Sequence, residues 1–90
     1  MPATPIPLYR QVGRRLAELR GKSGKTQEEL AEELGVGWRY LSRVERGLEN
    51  LGLDTLAKFA DVLNVDIKQL FEKPSVAAST VTKGRPKKRL

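Results

Sequence analysis

The sequence contains neither cysteine nor histidine. Disulfides, thiolate nucleophiles, histidine general bases and the commonest zinc sites are therefore excluded. Carboxylates are plentiful, but they lie on amphipathic outer faces with no glycine-rich phosphate loop beside them, so an enzyme is the least favoured class. We expect no catalytic residue, no metal and no cofactor, and a chain without cysteine fits a reducing cytoplasm.

Long hydrophobic runs are also missing. No apolar stretch approaches the roughly 20 residues that a membrane-spanning helix needs. The first residues, MPATPIPLYRQ, lack the charged region and apolar core of a secretory signal. We therefore expect no membrane contact and a cytoplasmic, nucleoid-associated location. Ninety residues with 39% hydrophobic content are enough for one small globular domain.

Positive charge is present in excess, and the net charge is +6. Residues 1–71 carry 11 Lys or Arg and 10 Asp or Glu, a net charge of +1, whereas residues 72–90 carry 6 and 1, a net charge of +5. Within the first part, acidic residues cluster on one predicted helix and basic residues on the next: Glu28, Glu29, Glu32 and Glu33, then Arg39, Arg43 and Arg46. This arrangement favours one-sided contact with a polyanion.

The spacing of apolar residues predicts an all-α fold, a compact five-helix bundle. Hydrophobic side chains recur every three or four residues, and helix-ending residues follow most of these segments. The helices are placed at about 8–20, 26–34, 38–46, 53–63 and 67–71, with Gly21 as the left-handed end of the first. The predicted organisation is a flexible N-terminal arm at 1–7, a helix-turn-helix domain at 8–72 and a disordered basic tail at 73–90.

Residues 26–47, TQEELAEELGVGWRYLSRVERG, carry the clearest motif. Thr26 and Glu29 have the spacing of a capping box at the start of an amphipathic helix. Gly35 then begins a three-residue turn to a second short helix. Two helices joined by so short a turn cross steeply. The second is therefore held out from the domain, where it can enter a DNA major groove, which predicts sequence-specific DNA binding.

Residues 12–71 resemble the phage Cro and lambda-type repressor helix-turn-helix family, often called the XRE family. The resemblance rests on apolar, glycine and capping positions in register, among them residues 26–31, 34–36, 41–47 and 56–65. It implies a compact five-helix domain that binds operator DNA as a homodimer. Gly37 departs from the Ser or Thr usual at that position, and Trp38 stands where polar residues are commoner.

The family also suggests which residues contact DNA. Arg39 and Arg43 match positions that read bases, and the fork of an arginine side chain suits the O6 and N7 acceptors of guanine. Gln27 matches a position that reaches a phosphate and the first residue of the recognition helix. Arg46 and Asn50 match positions near phosphates, although the helix dipole alone also favours a basic residue at the end of the third helix.

Four further candidates each have two interpretations. Thr26 caps its helix, and it also stands at a helix N-terminus suited to a phosphate. Trp38 packs either on a thymine methyl or sugar, or against the second helix or a dimer partner. Tyr40 either donates to a phosphate or is simply half-exposed. Ser42 either contacts the DNA backbone or is a small spacer.

Two residues are expected to have a structural role. Arg20 and Glu45 match a pair that the family joins by a salt bridge between the first and third helices. The resemblance therefore implies that this pair orients the recognition helix.

The C-terminal segment Lys83-Gly84-Arg85-Pro86-Lys87-Lys88-Arg89 resembles an AT-hook. An extended backbone at Gly and Pro fits a narrow A·T-rich minor groove, whose negative potential attracts arginine. The candidate contacts are Lys83, Arg85, Lys87 and Lys88. The alternative is a solvated basic tail that adds only nonspecific attraction.

The sequence favours a transcriptional regulator, a repressor or controller protein, over a protein-interaction module that keeps the fold without binding DNA. Phage-type repressor, restriction-modification controller and antitoxin remain alternatives within that class. The expected partners are double-stranded DNA, a second copy of the chain, and a protein such as a toxin, a polymerase or another regulator.

Overall fold

The computed structural model describes residues 7–75. Within this range the chain forms four α-helices and one 3-10 helix: α1 (Pro7–Lys22), α2 (Gln27–Leu34), α3 (Trp38–Glu45), α4 (Leu53–Leu63) and the 3-10 helix (Ile67–Phe71). None of these helices is both long and apolar enough to cross a membrane. The all-α class is confirmed. Residues 1–6 of the predicted arm (1–7) and residues 76–90 of the predicted tail (73–90) lie outside the described residues, so the domain boundaries remain predictions.

The expected fifth α-helix is wrong, because this segment is a 3-10 helix. Asp66 caps its start. Side chains of α1 take two of its carbonyl groups: Gln11 Nε2 donates to the Phe71 carbonyl at 2.7 Å, and Arg15 Nε donates to the Gln69 carbonyl at 2.8 Å. These are among the last carbonyls of the segment, which have no α-helical donor within it, so the two bonds hold the segment against α1. The segment is only five residues long, and pieces this short favour 3-10 geometry.

The first helix is longer than predicted at both ends. Pro7 occupies its first position, where the missing N–H is not needed. At the other end the helix continues through Gly21, and the left-handed residue is Gly24 at φ 76°. The Gly24 amide donates to the Gly21 carbonyl at 3.0 Å, so the chain turns away three residues later than expected. The helices α2 and α4 end on left-handed residues, Gly35 and Asn64.

One hydrophobic core joins all five elements. α1 packs against α3, α4 and the 3-10 helix, and α2 packs against α3 and α4. The buried core residues are Val12, Leu16, Leu19, Leu30, Ala31, Leu34, Leu41, Val44, Leu56, Phe59, Ala60, Leu63 and Leu70. From α3 only Leu41 and Val44 belong to this cluster, so the opposite side of that helix is left at the surface.

Two glycines allow α1 to lie directly on the C-terminal end of α3. A Cβ atom at Gly13 would stand 2.3 Å from the carbonyl oxygen of Val44 and 2.9 Å from that of Glu45. A Cβ atom at Gly47 would stand 2.7 Å from Arg10 Cα, and Gly47 also has a φ of 78°. Neither position has room for a side chain, so the distance between α1 and α3 is set by backbone contact.

Candidate nucleic-acid interface

The start of α2 is built by the predicted capping box, which the structure confirms. The Glu29 amide donates to Thr26 Oγ1 at 3.0 Å, and the Thr26 amide donates to Glu29 Oε1 at 2.9 Å. The Thr26 hydroxyl is therefore engaged in capping, the first of its two interpretations. The amides of Gln27 and Glu28, one and two residues into the helix, have no partner among residues 7–75. They stand at the positive end of the helix dipole, a natural position for a phosphate.

A buried network ties α1, α2 and α3 together behind this helix end. Arg20 forms two hydrogen bonds to Glu45, from Nε to Oε2 at 2.7 Å and from Nη2 to Oε1 at 3.0 Å. Gln27 Nε2 also donates to Glu45 Oε1, at 2.9 Å. Arg20 Nη1 adds a bond to the Lys25 carbonyl at 3.0 Å, in the loop before α2. One carboxylate on α3 therefore fixes the start of α2 relative to α3.

The outward side of α3 carries the two arginines expected to read bases. Leu41 and Val44 point into the core, whereas Arg39 and Arg43 are exposed on the other side. Gly37 caps the helix without a side-chain hydrogen bond, so the hydroxyl that the family usually offers at this point is missing. The structure thus brings Arg39 and Arg43 to one surface, one helical turn apart.

Trp38 lies at the surface and not in the core. Its side chain is 47% exposed, and the guanidinium of Arg39 lies 5.6 Å from the centroid of its ring. A cation at this distance from an indole is attracted by the ring face. The two neighbours form a partly apolar and positively charged surface at the first turn of α3.

Arg43 has an acidic neighbour that the sequence did not reveal. Its Nε donates to Glu49 Oε2 at 2.8 Å, across the start of the loop that follows α3. Tyr40 is half-buried, and burial together with the Glu49 carboxylate raises the pKa of its hydroxyl above the ordinary value. The Tyr40 hydroxyl therefore remains protonated at neutral pH and is available as a hydrogen-bond donor.

The remaining candidates lie around the end of α3. Ser42 is half-buried, and Arg46 is exposed at the C-cap of the helix. Asn50 is exposed in the loop that leads to α4, at the edge of an apolar groove. The candidates Lys83, Arg85, Lys87 and Lys88 lie outside the described residues.

The family model described as Helix-turn-helix (HTH_3) matches residues 16–70, which include all of α2, α3 and α4. The chain belongs to this helix-turn-helix family. The match also covers the C-terminal part of α1 and nearly all of the 3-10 helix, so it extends well beyond the two helices of the motif.

Regulators from bacteria are among the relatives of this helix-turn-helix chain. It is 39% identical over 71 residues to the HTH-type transcriptional regulator ImmR of Bacillus subtilis (strain 168), covering 79% of this chain and 56% of ImmR. The restriction-modification controller protein C.AhdI from Aeromonas hydrophila has a similar structure, with a TM-score of 0.67, 38% identity and coverage of 70% of this chain and 96% of C.AhdI. So has the biofilm regulator SinR, solved in complex with DNA, with a TM-score of 0.63, 37% identity and coverage of 68% and 98%.

Some of the curated relatives are much longer than the region that matches this chain. The helix-turn-helix chain spans 56% and 49% of the length of the first two curated relatives. The match to ImmR therefore covers only part of that protein, and it compares the helix-turn-helix region alone.

A buried cluster of charged residues around Arg15 and Glu18 of α1 was not predicted from the sequence. Arg15 and Glu18 are only 7% and 4% exposed, although the apolar spacing left them outside the predicted core. Arg15 Nη1 donates to Glu18 Oε1 at 2.9 Å, and its Nη2 donates to Glu72 at 3.0 Å. Both the amide and the hydroxyl of Ser75 donate to Glu18. The spacing of three residues between Arg15 and Glu18 indicated an ion pair, but its burial depends on a segment far along the chain.

The Glu18 carboxyl has a lowered pKa, from which we expect the stability of the helix-turn-helix domain to depend on pH in the acidic range. Burial raises the pKa of its carboxyl, but the hydrogen bonds from Ser75 and Arg15 outweigh burial, and the net pKa lies below the ordinary value of 4.5. A lowered pKa contributes stability that is present above that value and is lost as the pH falls through the folded-state pKa.

We therefore expect Glu18→Gln to lower the melting temperature near pH 7, and this difference from wild type should shrink as the pH is lowered from 5 to 3. Thermal unfolding followed by circular dichroism across this range checks it. Glu72→Gln is the matched control, since Glu72 bonds the same arginine but its side chain is 58% exposed. Its effect should be small, because exposed pairs contribute little. An equal Glu18→Gln deficit at pH 3 and pH 7 would refute this account of Glu18.

Proposed function

We propose that the chain is a sequence-specific DNA-binding transcriptional regulator, a repressor or controller protein, that inserts α3 into the major groove of a two-fold operator. The observation that carries this proposal is the exposed pair Arg39 and Arg43 on a helix whose opposite side is locked into the core. Arginine can bond two acceptors of guanine at once, which contributes about 1–3 kcal/mol of discrimination per base pair.

The same surface offers groups for the phosphate backbone, which would set the position of α3 in the groove. The amides at the start of α2 and the Gln27 side chain lie beside α3, because Gln27 is bonded to Glu45. We assign phosphate contacts to this helix end, to Arg46 and Asn50 beyond α3, and to the Tyr40 hydroxyl. We assign a further contact with the DNA backbone to Ser42, which is half-buried on α3. In this assignment Arg20 and Glu45 do not touch DNA and serve to orient α3.

A homodimer would match the two-fold operator. Ile67 and Phe71 are 38% and 42% exposed on the 3-10 helix, which packs on α1 and α4 and leaves the outward side of α3 free. A two-fold pair formed through this apolar surface would present two α3 helices to successive major grooves, about 34 Å apart. Sedimentation measurements at micromolar concentration test the dimer.

We propose that the basic tail adds minor-groove contacts through Lys83, Arg85, Lys87 and Lys88. Removal of residues 81–90 deletes five basic residues and is expected to weaken DNA binding and to flatten its dependence on salt. The measurement is affinity for one DNA duplex between about 50 and 200 mM salt, the range over which phosphate contacts change affinity strongly. A truncated chain with the same slope as the full chain would remove the tail from the interface.

Selection of bound fragments from random-sequence DNA tests the proposed function. The expected result is an enriched motif of two inverted half-sites, with centres about 10 base pairs or a multiple of one helical turn apart. Failure to enrich any sequence, with the folded protein, would favour the protein-interaction alternative. ImmR and SinR are named as regulators and C.AhdI as a controller protein, which supports a regulatory role of this kind. A protein partner such as a toxin, polymerase or other regulator is compatible with that role.

A further inference from the structure

Glu49 is an acidic residue beside the exposed arginines of α3. It lies in the loop between α3 and α4, and its carboxylate accepts a hydrogen bond from Arg43 Nε at 2.8 Å. The side chain of Glu49 is 28% exposed and that of Arg43 is 50% exposed. An ion pair of this exposure contributes little to folding stability. Because Glu49 bonds Arg43 on the outward side of α3, we expect it to affect DNA binding more than folding.

The hydrogen bond engages only one part of the guanidinium group. Nε is directed to Glu49, while the Nη1 and Nη2 groups of Arg43 have no hydrogen-bond partner within residues 7–75. These two nitrogens form the end of the fork, and together they can bond the O6 and N7 acceptors of one guanine. An arginine held through Nε therefore presents its two Nη groups to a base.

The carboxylate also changes what Arg43 can do on DNA of any sequence. A free arginine neutralises a phosphate and so strengthens binding without reading bases. An arginine whose charge is already partly compensated by Glu49 gains less from a phosphate, and Glu49 itself is repelled by the backbone.

We propose that Glu49 is a positioning residue that sets the specificity of Arg43: it presents the two Nη groups end-on to a guanine and discourages Arg43 from binding phosphate. The inference rests on the proposed function, namely that α3 enters the major groove. Under this proposal Glu49 lowers the affinity for nonspecific DNA and raises the ratio of specific to nonspecific affinity. Ordering an arginine side chain in advance also avoids part of the entropy cost of immobilising it on binding.

The test compares Glu49→Ala and Glu49→Gln with wild type on two duplexes, one with the selected sequence and one scrambled. Glu49→Ala should reduce the ratio of specific to nonspecific affinity by about three- to tenfold, in line with the cost of ordering one long side chain. Its binding to the scrambled duplex should tighten, and the slope of log affinity against log salt should steepen by up to about 0.9, the value for one additional phosphate contact. Glu49→Gln keeps an acceptor for Nε and should retain more of the base preference than Glu49→Ala.

Two controls separate this role from a change in charge or fold. Asp61→Asn removes the same charge from an exposed position on α4 and should leave the affinity ratio unchanged. In an Arg43→Ala background, Glu49→Gln should no longer affect base preference, because its effect acts through Arg43. Melting temperatures of all variants should stay close to those of their parents, since the Glu49 pair is exposed.

Failure of the proposed function and failure of the positioning role give different results. If wild type binds both duplexes equally, the proposed function fails. If wild type discriminates but Glu49→Ala keeps the wild-type ratio and salt slope, the positioning role of Glu49 is overturned while the proposed function stands. The positioning role is also overturned if Glu49→Gln changes base preference equally with and without Arg43.

Discussion

Glu45→Ala is expected to lower the free energy of unfolding by about 3–5 kcal/mol, the usual loss when one member of a buried ion pair is removed. Glu45 is 9% exposed and accepts two bonds from Arg20 and one from Gln27. Its removal leaves the Arg20 guanidinium buried without its counter-charge and releases the start of α2. Chemical denaturation followed by circular dichroism measures the loss.

The matched control is Glu33→Ala. Glu33 also forms an ion pair, with Lys25, but its side chain is 46% exposed. Glu33→Ala should lower the free energy of unfolding by no more than about 1 kcal/mol, because exposed ion pairs contribute little. A Glu45→Ala protein as stable as Glu33→Ala would mean that Glu45 does not hold the three helices together.

Gly13→Ala is expected to destabilise the domain by about 1–3 kcal/mol or more, the range for overpacking a tight contact. The new Cβ would meet backbone carbonyls of Val44 and Glu45, which cannot rotate away as a flexible side chain does. α3 must therefore move outward or tilt. DNA affinity should fall by more than the loss of stability accounts for, because the outward side of α3 moves with it.

Gly21→Ala provides a control within the same helix. A Cβ at Gly21 would have no atom within 4 Å other than those of its chain neighbours and its own helix backbone, and the residue lies inside α1. Alanine there should stabilise the domain by up to about 1 kcal/mol, because it favours the helix over glycine. Equal effects of the two substitutions on stability and DNA affinity would show that the contact between α1 and α3 is not close.

Local signals explain why much of this fold was predictable. The capping box at Thr26 and the left-handed ends at Gly35 and Asn64 depend on residues within one turn, so the sequence specifies them directly. The α2–α3 motif follows from these signals and the apolar spacing between them. The inward side of α3 followed from the spacing of Leu41 and Val44.

Tertiary contacts explain what was not predictable. The last segment has helical spacing, but it is only five residues long and is held against α1 by Gln11 and Arg15, and so short a piece forms a 3-10 helix. The spacing of apolar residues places Glu18 at the surface, but it is buried because Ser75, far along the chain, packs against it. The contact between Glu49 and Arg43 spans the end of a helix and a loop, where no periodic pattern applies.

Interference by guanine methylation tests the central claim most directly, since it reports whether α3 reads the major groove. Methylation at N7 blocks an acceptor in that groove. With the selected operator, wild type should fail to bind fragments methylated at particular guanines in each half-site. Arg43→Ala should lose this sensitivity at one of these guanines per half-site and keep it at the others. Wild-type binding that is indifferent to N7 methylation everywhere in a guanine-containing operator would contradict the account.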